Sequence, residues 1–360
     1  MRQIILSYEF VLVFFVCFMF FLLVAMFIKH KIVKNISLLL FSMFFVLFFF
    51  ELILSFFMPL SKTGFDKRFL DLKDTTEQSK MNHIKLFVNN KNYEFNNKED
   101  IDIPYSKDSI VFEQTYTILP NKFRVTKCNE NSDSVYVFIG CSYTFGFGVA
   151  DDETLPYYFS KLFDFNKNII NCGISARGSN ATLNVLNNDI FLPLIKNKNS
   201  KIECFVYTLI FDHVIRNFNY EDKYYRIDGF LYKNNKRYIP TTIGKIKYIF
   251  ARSYIFRKVF VPIIDEYFEQ YYEDYLINTL KEINKIVEEK YNSKLVIMWN
   301  DHQEKHKRLC EKLKATNLDL IFLPEYFNEK GTYKLEHDGH PTAKANEEIA
   351  EILYNHINNK

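Results

Sequence analysis

The chain is poor in glycine, and the few glycines it has are unevenly placed. Only ten of its 360 residues are glycine, and half of these fall within forty residues: Gly140, Gly146, Gly148, Gly173 and Gly178. Glycine is needed where the backbone takes a positive φ or where another group approaches it closely. This concentration therefore indicates a tight turn or a site between residues 140 and 178.

Several common motifs are missing, and each absence excludes a class of function. The six cysteines form no CxxC or CxxH pair and no disulfide framework, so no metal site is indicated, although a bond between Cys141 and Cys172 is conceivable. The net charge is only +3 and the lysines are dispersed, which argues against a nucleic-acid partner. Neither GxGxxG nor GxxxxGK[ST] occurs, so we expect no nucleotide and no other cofactor.

Charge is almost absent from two long runs near the N-terminus. Residues 10–28 carry no charged side chain, and residues 36–60 carry only Glu51. A run of about 20 apolar residues is long enough to cross the hydrocarbon core as a helix. A cleaved signal peptide is the alternative for the first run, but that run is long and a second follows at once. We therefore predict that residues 1–60 form a transmembrane hairpin of two helices, which would make this a multi-pass membrane protein.

The lysines around these runs bear on orientation. Three lie in the loop between the runs and four basic residues follow the second run, so the two groups favour opposite topologies. The loop lysines favour a cytoplasmic loop, which places the large domain outside the cytoplasm. Glu51 is an acid within an apolar run, and such a residue is a functional candidate. Its position near the helix end favours snorkelling or contact with the partner helix.

The remainder of the chain has two parts. Residues 61–133 are polar with short β-like runs and are interpreted as a juxtamembrane spacer or a small β layer. From residue 134 to 360, apolar runs at 135–140, 168–172, 202–210, 294–299 and 318–323 alternate with helical patterns. This alternation predicts a doubly wound α/β fold with a five-stranded parallel sheet. Residues 213–272 interrupt it and are interpreted as an insertion beside any site at the third strand.

Polar residues follow the ends of the predicted strands. Ser142 follows the first, Gly173 ends the second, Asp212 and His213 follow the third, and Asp338-Gly339-His340 precede the last helix. Ligands bind at the carboxyl ends of strands in an open parallel sheet, so these groups could converge. A hydroxyl, an imidazole with a carboxylate, and backbone N–H groups are the parts that acyl transfer needs.

Three blocks of this region, in this order, resemble the SGNH (GDSL-like) hydrolase family over roughly residues 135–360. The blocks are GCSYTFGFGV, NCGISARGSN and DGHP. The resemblance implies a flavodoxin-like SGNH fold, with Ser142 as nucleophile, His340 as general base and Asp338 as its orienting acid. It also implies that the N–H groups of Ser142 and Gly173 bind the oxyanion. Each block alone is also compatible with an ordinary tight turn.

The sequence departs from the family pattern at three places. Cys141 stands where an aspartate usually precedes the serine, and Phe211 stands where the family has an asparagine that completes the oxyanion hole. Loss of one such donor costs about 10²–10³ in rate. The acid and base are spaced Asp-x-His rather than Asp-x-x-His. Four residues are expected to line the site without an assigned step: Cys141, Asp212, His213 and Arg216.

The resulting expectation is a membrane-anchored serine esterase or acyl-transfer protein that needs no cofactor. By resemblance, its substrate is an O-acyl or O-acetyl group on surface carbohydrate. One alternative is a non-catalytic protein that binds glycans or assists assembly on a degenerate hydrolase fold, which Phe211 favours. Another is a lipid esterase, which would need an apolar cleft beside the site.

Overall fold

The computed structural model describes residues 2–57, 82–89, 95–96, 110–119, 123–175, 177–217, 255–256, 260–335 and 338–359. These residues form two compact units: residues 2–57, 255–256 and 260–269 belong to one, and residues 82–217 and 270–359, as far as they are described, belong to the other. Most of the insertion expected over residues 213–272 lies outside the described residues.

The secondary structure follows the predicted alternation of strands and helices. The described helices are α1 (Arg2–Phe27), α2 (Lys31–Phe57), α3 (Ser142–Phe145), α4 (Leu155–Lys161), α5 (Ser179–Asn187), α6 (His213–Arg216), α7 (Val261–Tyr267), α8 (Glu269–Tyr291), α9 (Lys307–Lys314) and α10 (Ala343–Asn358). The described strands are β1 (Asn82–Asn89), β2 (Phe95–Asn96), β3 (Ile110–Ile118), β4 (Ser134–Gly140), β5 (Asn168–Gly173), β6 (Lys201–Leu209), β7 (Lys294–Trp299) and β8 (Asp319–Phe322).

In the first unit, α1 and α2 pack against each other through phenylalanine rings. Phe21 stacks on Phe44 with ring centroids 5.6 Å apart, and Phe18 makes edge contacts with Phe41 and Phe45. Phenylalanine is the commonest residue in each of the two helices, so rings meet at several points along the pair. The pair therefore forms a helical hairpin.

The prediction of two membrane-spanning helices requires correction. Among the described residues one helix, Lys31–Ile53, is long and apolar enough to cross a membrane, with 23 residues and a mean hydropathy of 2.5. Within α1 (Arg2–Phe27), the apolar stretch found among the described residues, Leu12–Phe27, is shorter than the roughly 20 residues that a span needs. A signal sequence near the N-terminus can have the same length and composition as Lys31–Ile53.

Glu51, the acid of the second apolar run, does not snorkel to solvent. Its exposure is 0%, and its carboxylate accepts the backbone N–H of Ile255 at 3.0 Å within the same unit. A buried carboxylate requires hydrogen-bond donors because it has lost water. The sequence far beyond the apolar helices thus supplies one of the donors that hold this acid.

The second unit contains the five-stranded parallel sheet, in the order β5-β4-β6-β7-β8. If the five strands are numbered along the chain, their order in the sheet is 2-1-3-4-5, which is a doubly wound arrangement. The direction in which successive strands are added reverses between β4 and β6. The central strands are buried on both faces, since every residue of β4 after Ser134 is buried. The reversal places the carboxyl ends of β4 and β6 beside a crevice where ligands bind in such sheets.

Helices cover both faces of this sheet through apolar stripes at helical spacing. On α8, every fourth or third residue is fully buried: Leu276, Leu280, Ile283 and Val287. On the other face, α10 presents Ile349, Leu353 and Ile357 to a core that includes Phe138 and Phe159. These stripes have the spacing of helices that bury one face against a core.

Part of the segment before the parallel sheet also belongs to this unit. Strands β1, β2 and β3 form a separate antiparallel sheet in the order β2-β1-β3. After β3, Arg124 pairs in an isolated bridge with Asn171 of β5. The segment therefore leads directly to the edge of the parallel sheet.

Candidate active site

The first element of the site is the short turn that holds Ser142. Strand β4 ends at Gly140, Cys141 is extended, and α3 begins at Ser142, whose exposure is 5%. The N–H groups of Gly146 and Phe147 both donate to the Ser142 carbonyl oxygen at 3.0 Å. Ser142 N–H lies in the first turn of the helix, where the helix itself offers no acceptor. The turn thus presents a hydroxyl and a backbone donor together at the end of a strand.

His340 and Asp338 lie against this turn. The distance from Ser142 Oγ to His340 Nε2 is 2.7 Å, and His340 Nδ1 is hydrogen-bonded to Asp338 Oδ1. Asp338 Oδ1 also accepts the His340 backbone N–H at 3.3 Å. The Asp338 side chain is only 5% exposed. The short Asp-x-His spacing therefore still allows the carboxylate to reach the imidazole, with Gly339 between them at a φ of 82°.

Two aromatic rings from the serine turn flank the imidazole. The centroids of the Tyr143 and Phe147 rings lie 5.2 Å and 4.8 Å from that of His340. The Tyr143 hydroxyl donates to the Gly339 carbonyl at 3.0 Å, which ties the turn to the loop carrying the base. Burial raises the pKa of Tyr143 well above its usual value, so it remains a neutral donor. Both rings belong to the GCSYTFGFGV block, but the motif alone does not mark either of them as part of the site.

Lys334 is a further charged neighbour that the sequence did not reveal. Its Nζ lies 3.5 Å from the Tyr143 hydroxyl and 3.6 Å from Asp301 Oδ1. Burial lowers the pKa of Lys334, while Asp301 acts in the opposite direction. Asp301 also accepts the Phe211 N–H at 2.7 Å, so this network joins the ends of β6 and β7. No periodicity or motif marks Lys334 in the sequence.

The structure gives Gly173 a different role from the expected oxyanion donor. Its N–H donates to the Asn171 side-chain oxygen at 3.0 Å and is therefore already engaged. A Cβ placed on Gly173 would lie 2.2 Å from the Phe145 backbone nitrogen. Glycine is required here because β5 and the serine turn touch at this point. Close packing against the serine turn thus explains why the second block, NCGISARGSN, has a glycine at position 173.

After the end of β6, Phe211 and His213 do not offer groups to the Ser142 hydroxyl. The Phe211 ring stacks on that of His306 at 3.8 Å. His213 has an exposure of 0%, and its Nδ1 is 2.8 Å from the Tyr207 hydroxyl. Burial, with a smaller contribution from Arg216, lowers the pKa of His213 well below its usual value. The expectation that His213 lines the site is therefore wrong, because the ring is enclosed in the core.

Arg216 and Asp212 form the ion pair that their spacing suggests, at 2.8 Å. Arg216 also interacts with the Cys141 thiol, and its Cβ is close to Gly178 of the second block. Arg216 therefore contacts residues of two other blocks. The Asp212 side chain is 65% exposed and lies on the outer side of this pair.

Cys141 is fully buried beside Ser142 and is a free thiol, as is Cys172. The conceivable bond between the two does not form. Burial raises the pKa of Cys141, and Arg216 only partly offsets this effect. A thiol needs to be ionised and accessible to act as a nucleophile. The geometry therefore favours Ser142 over Cys141. Among the described residues no cluster of His, Cys, Asp or Glu is arranged to hold a metal ion.

Comparison with known proteins adds little to this geometry. No family model matches the chain, and no curated protein matches it. One solved structure with a detectable likeness is described as "Structure of a putative lipolytic protein of G-D-S-L family from Desulfitobacterium hafniense DCB-2". It shares 9% identity and a TM-score of 0.37, covering 62% of this chain and 98% of its own. A likeness at this level does not establish an activity, and the function is inferred from the site itself.

Proposed function

We propose that this chain is a serine esterase or acyl-transfer enzyme of SGNH type, with Ser142 as nucleophile. The observation that carries the proposal is the continuous contact from Asp338 through His340 to Ser142, with 2.7 Å between Nε2 and Oγ. A serine hydroxyl is a weak nucleophile unless an adjacent base removes its proton. The carboxylate on Nδ1 fixes the tautomer that leaves Nε2 free to accept that proton.

The reaction follows from these positions. Ser142 Oγ attacks the ester carbonyl while His340 Nε2 takes the hydroxyl proton. The tetrahedral intermediate then collapses, and the departing alcohol receives that proton from His340. Water, or an acceptor hydroxyl, gives a proton to His340 and attacks the acyl-serine. The acyl group leaves as a carboxylic acid or as a new ester, and Ser142 regains its proton.

The oxyanion hole is the weaker part of this site. Ser142 N–H supplies one donor, but Gly173 N–H is engaged by Asn171 and the family asparagine is replaced by Phe211. Each missing donor costs about 10²–10³ in rate. We therefore expect slow turnover of p-nitrophenyl acetate, measured as kcat, with labelling by reactive phosphonates easier to detect than hydrolysis.

The substrate and location are proposed from the resemblance and from the candidate span. An apolar helix of 23 residues would hold the enzyme at a membrane, with the sheet unit outside the cytoplasm. Acetylated surface carbohydrate would then be its substrate. Acetate release from an O-acetylated glycan supports this assignment, whereas faster hydrolysis of long-chain esters would favour the lipid esterase.

A non-catalytic, glycan-binding protein is the second candidate. The observations that favour it are the engaged N–H of Gly173 and the phenylalanine at position 211. Such a protein would keep the triad geometry for structural reasons and would bind an acylated glycan without turnover.

Fluorophosphonate labelling of the full chain in detergent separates these candidates. We expect labelling of the wild type and its loss in Ser142→Ala and His340→Ala. Ser293→Ala is the matched control, since Ser293 is also buried at its hydroxyl but directly precedes β7 at the opposite end of a strand. Absence of labelling in a folded wild type would overturn the enzyme assignment and favour the binding protein.

A further inference from the structure

Arg124 is a buried arginine that comes before the parallel sheet and outside the blocks that resemble a hydrolase. Its exposure is 1%. Its Nη1 donates to the carbonyls of Phe145, at 3.0 Å, and Gly146, and its Nη2 donates to that of Val149 at 2.8 Å. Burying a guanidinium is costly unless its N–H groups find acceptors. Here three of those acceptors are backbone carbonyls of the segment that follows Ser142.

The charge of Arg124 is balanced within the same cluster. Nε donates to Asp151 Oδ1 at 2.8 Å, and Asp151 Oδ2 accepts the Thr117 N–H of β3 at 3.1 Å. The guanidinium carbon lies 4.2 Å from the centroid of the Tyr116 ring. The Tyr116 hydroxyl in turn accepts the Gly148 N–H at 2.8 Å. Strand β3 and Arg124 together hold the chain from residue 145 to residue 151.

That stretch contacts both Ser142 and His340, the partners of the proposed reaction. Phe147 N–H donates to the Ser142 carbonyl at 3.0 Å, and the Phe147 ring lies 4.8 Å from the His340 ring. A displacement of the carbonyls that Arg124 holds would therefore move both the serine turn and the Phe147 ring that packs against the His340 imidazole. Gly146, whose φ is 80°, caps the C-terminal end of α3, and its carbonyl accepts a hydrogen bond from Arg124 Nη1.

We propose that Arg124 is a positioning residue that aligns Ser142 with His340, supplied by the segment that precedes the sheet. The proposal rests on the proposed function and extends it. A planar guanidinium suits the task because its fork of fixed donors can hold several carbonyls at defined angles. A lysine keeps the charge but cannot reproduce this pattern.

The test compares Arg124→Lys with the wild type in the full chain. Reaction with a fluorophosphonate gives two quantities, the final labelled fraction and the rate constant of labelling. Hydrolysis of p-nitrophenyl acetate gives kcat and KM. We expect the rate constant and kcat to fall about 10- to 100-fold, because misplacement of about 1 Å can cost 10². The labelled fraction stays near that of the wild type, and KM changes by less than about twofold because Arg124 does not touch the substrate.

Arg308→Lys is the matched control. Arg308 also pairs with a buried carboxylate, Glu273, at 2.8 Å, but it lies on α9, after β7, rather than in the segment that holds the serine turn. We expect its rate constant to equal that of the wild type. Asp151→Asn is a milder variant, since an amide oxygen can still accept the Thr117 N–H. Its rate constant should fall by a smaller factor than that of Arg124→Lys.

Three outcomes would overturn the inference. A wild-type rate constant in Arg124→Lys would show that the guanidinium does not align the pair. A reduced labelled fraction with an unchanged rate constant would show a role in folding alone. If Arg124→Lys fails to fold, a wild-type rate constant in Asp151→Asn has the same meaning. Failure of the wild type itself to label would instead overturn the proposed function and this inference with it.

Discussion

His213 is a polar residue that follows a strand end and is buried in the core. Its ring is enclosed, it is bonded to the Tyr207 hydroxyl, and its pKa is lowered well below the usual value, chiefly by burial. A histidine with a lowered pKa stays neutral in the folded chain but takes up a proton in the unfolded chain as pH falls below about 6.5. The unfolded state is then favoured by up to about 1.4 kcal/mol per pH unit.

We therefore predict that the melting temperature of the wild type falls between pH 7 and pH 5 and that His213→Gln falls less. Thermal scans of both proteins at matched pH values measure this difference. His302→Gln is the control, because His302 is exposed and pairs with Glu325 at the surface. Parallel curves for wild type and His213→Gln would contradict the prediction.

At the scale of elements, the contact between β5 and the serine turn is fixed by Gly173. A methyl group there would lie 2.2 Å from one backbone atom of α3 and 2.7 Å from two others, so the turn must move. Overpacking typically costs about 1–3 kcal/mol, and backbone atoms cannot rotate aside as side chains do. We predict that Gly173→Ala lowers the rate constant of fluorophosphonate labelling at least about tenfold and lowers the melting temperature.

The comparison variant is Gly331→Asn. Gly331 has a φ of 81°, but no atom lies within 4 Å of the position that a Cβ would take, and asparagine tolerates that conformation. Its labelling should match the wild type. Equal behaviour of the two variants would mean that the close approach at Gly173 is not what shapes the turn.

The elements also show how far sequence reasoning reaches. The strands, the stripes of α8 and α10, and the meeting of Ser142 with the His340 loop follow from periodicity and from the rule that strand ends share one edge. Arg124 and Lys334 were missed because a single charge in a polar stretch has no period. The engagement of Gly173 N–H was missed because a side chain two residues away competes for it.

At the scale of the whole molecule, the apolar helices predict how the protein behaves in cells. If Lys31–Ile53 crosses the membrane, the chain stays in the membrane pellet after alkaline carbonate extraction. Replacing two central leucines, Leu38 and Leu39, by arginine should release it, because a charge at mid-span costs about 2.5–3.5 kcal/mol. The same change at two surface lysines, Lys281 and Lys285, is the control. A wild type extracted by carbonate would argue for a removed signal sequence.

The bond between Glu51 and Ile255 also bears on the order of biosynthesis. The two residues are 204 positions apart in the chain. At roughly 5–20 residues per second, the ribosome makes Ile255 some 10–40 seconds after Glu51. The apolar helix therefore leaves the ribosome well before this donor exists, and the later segment must return to a helix that is already in place. Closure of the first unit must therefore wait until 204 further residues have followed Glu51.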